Sequence, residues 1–351
     1  MKKNMHILHL TPYMGQGGTE RCILNLISQS LKRGYQVSLA SPDGNGLKKV
    51  PGSVRICKLE NWRISKPLGS ASALKKVALS IGKEADIIQV HASAEMAYLM
   101  KKYLPQKPII FTCHGYDTPL PRYFNYWIAS KFLKKIDYSI VLNPVEREYF
   151  ARAGIKKEKL AILPNGVEKK FFNFSFGKKN NDRVVGLVGR LVKRKNILWA
   201  IEAQAKYRLA SKLLIVGDGP LRSKLERRVK RLGLGKEVIF LGHQEKIEKI
   251  YPLFSSLLVC SRNEAFPLII LEALAGGIPV FIPDWLPGVK KIFSSAPGII
   301  VFQGVKDLKE KIERGDGRIE RKKIQEFARS FLWENIFPEY EKLYRQVLNR
   351  D

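Results

Sequence analysis

The feature that most constrains this chain is an alternation. Short apolar runs rich in Val, Ile and Leu take turns with stretches patterned for helix. The runs lie at residues 5–10, 36–41, 86–91, 108–114, 139–143 and 160–164, and again at 184–189, 212–217, 238–242, 256–261, 277–283 and 298–302. Most are continuously apolar, as strands covered on both faces of a parallel sheet must be. Between them, residues 19–34 set Ile23, Leu24, Ile27 and Leu31 on one helical face. Strands separated in this way by helices predict doubly wound α/β domains.

A chain of 351 residues exceeds the roughly 250–300 at which a single core stops growing, so two domains are expected. The polar stretch 173–183, NFSFGKKNNDR, interrupts the alternation, and a new first strand follows it. The expected organisation is an N-terminal Rossmann-like domain over 1–172 that also takes the C-terminal helix at about 331–351, a linker over 173–183 and a C-terminal Rossmann-like domain over 184–330. The amphipathic tail, about 331–351, carries no strand pattern and reads as a closing helix packed across both domains. The sequence shows no repeat at solenoid periods and no low-complexity tract.

Charge narrows the partners. The 62 Lys and Arg against 32 Asp and Glu leave a net charge of +30. Such a surface attracts nucleic acid, anionic lipid or phosphorylated substrates, and charge alone does not choose among them. The 4 cysteines include no CxxC pair, which fits reduced thiols in a cytoplasmic protein. The opening MKKNMHILHLTP reads as a first strand rather than a signal peptide. No apolar stretch reaches the roughly 18–20 residues a membrane span needs.

Five stretches could carry chemistry. MGQGGTER (14–21) is a glycine-rich turn before a helix, fit either for an anion at the helix N-terminus or for a plain turn capped by Thr19. TCHGYD (112–117) sets His114 and Gly115 at a strand's carboxyl end, where ligands of open α/β sheets bind. His6, His9 and His91 read as core or supporting residues. VGRLVKRKN (188–196) ends a strand at Gly189 and supplies Arg190 and Lys195 beside a helix start, a possible diphosphate cradle. IVGDGPLRSKLE (215–226) turns at Gly217, with Pro220 suited to a first helical turn. In NEAFPLIILEALAGGIPV (263–280), Glu264 precedes a helix starting near Pro267 and Glu272 lies on it. Pairing along a helix surface does not explain that spacing. Two carboxylates at different depths could each accept from a vicinal diol of a sugar or ribose.

Taken in order, GGTER, TCHG, PNGV (164–167), GRLVKRKN, VGDGPLR, FLGH and SRNEAFPLIILEALAGGIPV resemble the retaining GT-B glycosyltransferases of family 4, over nearly the whole chain. The tail FLWENIFPEYEKLY is similar to that family's crossing helix. The resemblance implies a GT-B fold, two Rossmann-like domains facing a central cleft with the C-terminal helix crossing back. It implies transfer of a hexose from a nucleotide-diphosphate sugar, taken as a UDP-sugar, with no separate cofactor and no metal. Glu264 would hold hydroxyls of the donor sugar, and Glu272 the ribose. Arg190 and Lys195 would neutralise the diphosphate. Gly17 and Gly18 would lie beside the phosphates, and His114 beside the donor sugar. Gly189 and Gly217 would line the donor site. Ala265 and Pro267 stand where the family often has glycine. Pro267 has no N–H, so amide contacts near Ala265 fall to Phe266, Leu268 or Ile269.

The segment 121–137, PRYFNYWIASKFLKKID, suggests where the acceptor is met. Phe124, Trp127, Ile128 and Phe132 recur at helical spacing among cations. Arg122, Tyr123, Phe124, Trp127, Lys131 and Lys134 suit an anionic membrane surface or the acceptor, and a core-packed helix with a solvated basic face is the alternative. The first reading makes the enzyme peripheral on the inner face of the cell membrane, acting on a saccharide or lipid-linked acceptor in cell-envelope polysaccharide or glycolipid synthesis. A sugar-nucleotide epimerase of the same architecture is the nearest rival. A nucleic-acid-binding role has the charge in its favour but no recognition module, so nucleic acid is not expected as a partner.

Overall fold

The computed structural model describes residues 5–349 apart from 16, 61, 63–70, 116–121, 175–182 and 316–318, with only the backbone of Arg122 and Tyr123. The chain divides into two compact units. The first comprises Met1–Asn165 with Trp333–Asp351, and the second Gly166–Leu332. Most of the expected linker, 173–183, lies outside the described residues.

The first unit runs β1 (His6–Leu10), α1 (Gly18–Lys32), β2 (Gln36–Ser41), β3 (Arg55–Lys58), α2 (Ala71–Val77), β4 (Ile87–His91), α3 (Ala94–Tyr103), β5 (Ile109–Thr112), α4 (Arg122–Leu133), β6 (Tyr138–Val141), α5 (Pro144–Arg152) and β7 (Leu160–Ile162). Its strands form one sheet in the order β3-β2-β1-β4-β5-β6-β7, every pairing parallel. The second unit runs β8 (Val184–Val188), α6 (Ile197–Tyr207), β9 (Lys212–Val216), α7 (Arg222–Arg231), β10 (Val238–Gly242), β11 (Ser256–Leu258), α8 (Leu268–Ala275), β12 (Val280–Pro283), α9 (Pro287–Phe293), β13 (Ile299–Phe302), α10 (Gly304–Arg314) and α11 (Arg321–Arg329). Its parallel sheet has the order β10-β9-β8-β11-β12-β13. The last helix, α12 (Trp333–Leu348), belongs to the first unit.

Each of the twelve apolar runs forms a strand. The strand that the pattern did not announce is β3, whose sequence RICK sits at the sheet edge with its residues half-buried or exposed. An edge strand has little apolar surface to bury, so it leaves little hydrophobic signal. The closing helix expected at about 331–351 is α12, and a separate helix, α11, precedes it. α11 packs on α8 in the second unit, the chain breaks at residues 330–332, and α12 covers the first sheet. There Trp333, Phe337, Tyr340 and Tyr344 pack with Ile7, Ile87, Ile110 and Ile140.

In each sheet the strand order reverses once between neighbours, at β1/β4 and at β8/β11. Open α/β sheets bind ligands just beyond the carboxyl ends of the strands at such a point. Among the described residues no helix is long and apolar enough to cross a membrane.

Candidate functional site

The switch point of the second unit gathers the charged residues. After β8 the chain passes Gly189 and Arg190, makes a short 3-10 turn over Lys193–Lys195, and enters α6 through Asn196 in the left-handed region. After β11 it passes Ser261 and Glu264 before α8 begins at Leu268. The two loops are tied together by the Arg262 N–H, which donates to the Arg194 carbonyl at 2.8 Å. The Cys260 thiol donates to the Lys195 carbonyl at 3.2 Å, and the Trp285 indole to the Ser261 carbonyl at 3.0 Å.

That frame brings Glu264 between two cations. Lys195 Nζ donates to Oε1 at 2.6 Å and Arg194 Nη1 to Oε2 at 3.0 Å, with the Glu264 side chain 8% exposed. Burial pushes the Glu264 carboxyl up. Lys195 and Arg194, with hydrogen bonds from Lys195 and Ser261, outweigh that and hold it below the usual carboxylate range. Glu264 is therefore an ionised acceptor at neutral pH.

Glu272 sits one level deeper. It is buried on α8, and Tyr251 Oη donates to its Oε2 at 2.8 Å. Tyr251 is in turn packed among Phe171, Phe174 and Phe254. Gly276, just after α8, explains part of the ALAGG spelling: a Cβ there would meet the Phe174 ring at 2.0 Å. The sequence placed Glu264 in a loop and Glu272 on the helix, and so they are.

Arg190 stands apart. Its side chain is exposed and makes no ion pair among the described residues. The second cation on Glu264 is Arg194, which sequence reasoning passed over. Nothing in VGRLVKRKN distinguishes the two arginines until the 3-10 turn aims Arg194 and Lys195 the same way. Gly189 and Gly217 meet where the β8 and β9 loops touch. Gly217 has φ +129° and a Cβ there would fall 2.1 Å from the Gly189 carbonyl oxygen, so no other residue fits. Phe266 is a core residue, tilted against Phe293 and Phe331. Leu268 and Ile269 open α8, which has no side-chain cap, so their first-turn N–H groups face outward from the helix end. Pro220 falls in the turn just ahead of α7 rather than in its first turn.

At the amino end of the first unit, the alternative of a turn capped by Thr19 does not hold. Gly17 is the capping residue of α1, and the Glu20 carboxylate turns back to accept from the Gly15 and Gly17 N–H groups at 3.0 and 2.9 Å. A carboxylate three residues into the helix that reaches back to the capping residue's N–H is the acidic half of a capping box. The G-x-x-E spacing was its legible signal. Gly17 and Gly18 themselves are exposed.

At the first unit's switch point stand three histidines. His9 on β1, His91 at the end of β4 and His114 two residues beyond β5 are linked ring to ring. His9 Nδ1 lies 3.0 Å from His91 Nε2, and His91 Nδ1 lies 3.1 Å from His114 Nε2. The aromatic segment also divides. On α4, Phe124 and Trp127 are 43% and 38% exposed, stacked at 5.4 Å, with Lys131 Nζ 3.7 Å above the Trp127 ring. Phe132 turns the other way and packs edge-on against Tyr98. Lys134 is exposed. The side chains of Arg122 and Tyr123 lie outside the described residues.

The family described as Glycosyltransferase Family 4 matches residues 16–171, and that described as Glycosyl transferases group 1 matches residues 168–330. A Campylobacter jejuni GalNAc-alpha-(1->4)-GalNAc-alpha-(1->3)-diNAcBac-PP-undecaprenol alpha-1,4-N-acetyl-D-galactosaminyltransferase is 28% identical over 77% of each chain. The N-acetyl-alpha-D-glucosaminyl L-malate synthase of Bacillus anthracis is 27% identical over 81% of each. Among solved structures, Anabaena HepE in complex with UDP superposes with a TM-score of 0.79 at 18% identity, over 97% of this chain and 100% of that one. Sucrose-phosphate synthase from Thermosynechococcus elongatus gives 0.81 at 21%, over 99% and 100%. The fold shared with these structures is GT-B.

Proposed function

The chain belongs to the group 1, family 4 glycosyltransferases, and from that footing we propose that it is a retaining, metal-independent hexosyltransferase acting on a lipid-linked saccharide at a membrane surface. The donor is a nucleotide-diphosphate sugar, with a UDP-sugar the first choice. Bound UDP in HepE and the diphospho-undecaprenol named for the Campylobacter relative support the two substrate classes.

The observation that carries the reading is the carboxylate of Glu264, held ionised between Lys195 and Arg194 and eight residues ahead of the buried Glu272. An ionised carboxylate in a fixed orientation accepts from sugar hydroxyls, and Glu272 accepts from the ribose. The diphosphate meets Lys195 and the exposed Arg190. Negative charge grows on it as the bond between the anomeric carbon and the phosphate oxygen breaks, and fixed cations there lower the barrier. The acceptor oxygen bonds to the anomeric carbon on the face the leaving group departs. Its proton passes to the departing phosphate oxygen, so configuration is retained and neither glutamate becomes covalently attached.

A panel of sugar nucleotides tests the donor. The matching donor at a hundredfold excess over its dissociation constant stabilises the protein by about 2.7 kcal/mol, and thermal unfolding reads the shift. No stabilisation by any nucleotide sugar overturns the reading. Anomeric analysis of the product tests retention, and an inverted linkage defeats it. Product formed only when acceptor is present separates a transferase from an epimerase.

For the membrane, the support is the exposed Phe124–Trp127 stack with Lys131 across it. Interfacial aromatics flanked by cations gain at an anionic surface. Vesicles containing anionic lipid sediment the protein in a salt-sensitive way. Equal recovery with neutral vesicles removes this part of the proposal.

A further inference from the structure

We propose that His9 and His91 are positioning residues that fix His114 in its Nδ1–H tautomer, so that His114 meets an oxygen of the bound ligand as a hydrogen-bond donor and not as a base. The claim rests on the proposed function only in taking His114 to face the ligand.

The geometry is a string. Three imidazoles lie side by side at the β1/β4 switch point and the adjoining end of β5. Ring centroids are 5.3 and 5.4 Å apart, each pair inclined by 29°. His9 and His91 are fully buried, and His114 is half-buried at the outer end. Among the described residues no group of three or more His, Cys, Asp or Glu is arranged to hold a metal ion, and the rings contact one another.

All three rings are neutral at physiological pH. Burial brings His9 down to about 3 and His114 to about 4. His91 is lowered well below the ordinary value, by burial first and then by the two flanking rings. A neutral imidazole carries one proton for two nitrogens. With both ring-to-ring hydrogen bonds made, only two proton arrangements remain, and each fixes all three rings together.

In the outward arrangement His9 Nδ1–H donates to His91 Nε2, and His91 Nδ1–H donates to His114 Nε2. His114 then carries its proton on Nδ1, at the open end. In the inward arrangement every proton moves to Nε2, His114 donates into the string, and its Nδ1 becomes an acceptor. The half-buried outer end accommodates either form, because water or a ligand can serve a donor or an acceptor there. The inner end does not. His9 Nε2 is buried and has no hydrogen-bond partner among the described residues. The inward arrangement strands an N–H at that atom, whereas the outward one leaves only a lone pair. Among backbone groups, a buried N–H left without an acceptor is rarer than a buried acceptor left short of a donor, and we extend that ordering to the ring. The inner end therefore decides the outer one, across two rings.

The tautomer is read directly from long-range 1H–15N correlation spectra of the full-length protein labelled with 15N-histidine, at pH 7 and without ligand. The expected spectrum shows His9, His91 and His114 all protonated on Nδ1. A proton on Nε2 of His114 overturns the proposal, and it does so whether or not the protein transfers sugar. Turnover supplies the second readout. His91→Phe removes the donor to His114 and lowers kcat by about tenfold to a hundredfold, the scale on which partners that orient a functional histidine act, with less change in the KM for the donor. His91→Asn puts an amide N–H close to the place of Nδ1 and recovers most of that loss. Equal impairment of the two variants overturns the positioning role. The expected spectrum in a protein that transfers no sugar leaves the string intact and rejects the proposed function instead.

Discussion

At the switch point of the first unit the side chains are imidazoles that burial keeps neutral; at the switch point of the second they are a carboxylate and the two cations that hold it ionised. The sheets behind them follow one plan, parallel strands reversing order once. The difference lies in what each strand end is given to carry. A row of neutral rings offers direction without net charge, which suits the orientation of hydroxyls. A Lys195–Glu264–Arg194 cluster offers charge in a fixed place, which suits a sugar bonded to a diphosphate.

Four measurements break or sharpen that contrast. The largest effect is expected in the first core. Phe337→Ala removes a fully buried ring from under the first sheet and costs about 3–5 kcal/mol in urea unfolding of the full chain. A loss below about 1 kcal/mol would mean that α12 is not part of that core.

Next comes the charged site. Arg190→Ala is expected to lower transfer by about 10²–10³-fold, the scale for removing one fixed stabiliser of a developing charge. Because Arg190 is exposed, stability changes by no more than about 0.5 kcal/mol. Undiminished turnover hands the diphosphate to Arg194 and Lys195 alone. Glu272→Gln is the companion variant, since its burial makes the shorter alanine a test of packing as well.

Third, Glu264→Gln leaves Lys195 and Arg194 without their counter-ion and costs about 1–3 kcal/mol at pH 7, toward the lower figure because Arg194 is 30% exposed. The pH dependence has a definite sign. Folding lowers the Glu264 pKa, so its contribution is complete above the unfolded value, about 4.3, and fades as pH falls through the lower folded value. Chemical unfolding of wild type and variant should therefore diverge above that range and converge in acid. A gap independent of pH would show that charge is not what holds the loop. The smallest effect belongs to Tyr251→Phe, which deletes the donor to Glu272 and is expected to cost about 1 kcal/mol. A neutral result would mean that the Tyr251 hydroxyl is not what holds Glu272 in place.

Much of this molecule was legible in its residues. Continuous apolar runs announced each strand except β3, because a covered parallel strand must be apolar on both faces. The spacing of Glu264 and Glu272 showed that one lies in the loop and the other on the helix. The glycine turns before α1 and α7 marked the helix starts to within a few residues. The boundary near residue 331 was legible to within a few residues; which side chains α12 would cover was not, since an amphipathic pattern does not name the surface it packs on.

What the sequence determined, then, was the order of elements and which residues reach the ends of the strands, because hydrophobic period and turn chemistry are local properties. Only the tertiary structure decided who meets whom there. It chose Arg194 over Arg190 as the second partner of Glu264, turned Phe132 away from Trp127, and joined His9, His91 and His114, which are separated by 82 and 23 residues, into one string. Those contacts depend on the strand order and register of parallel sheets, and pairing between distant strands leaves no trace in the spacing of neighbouring residues.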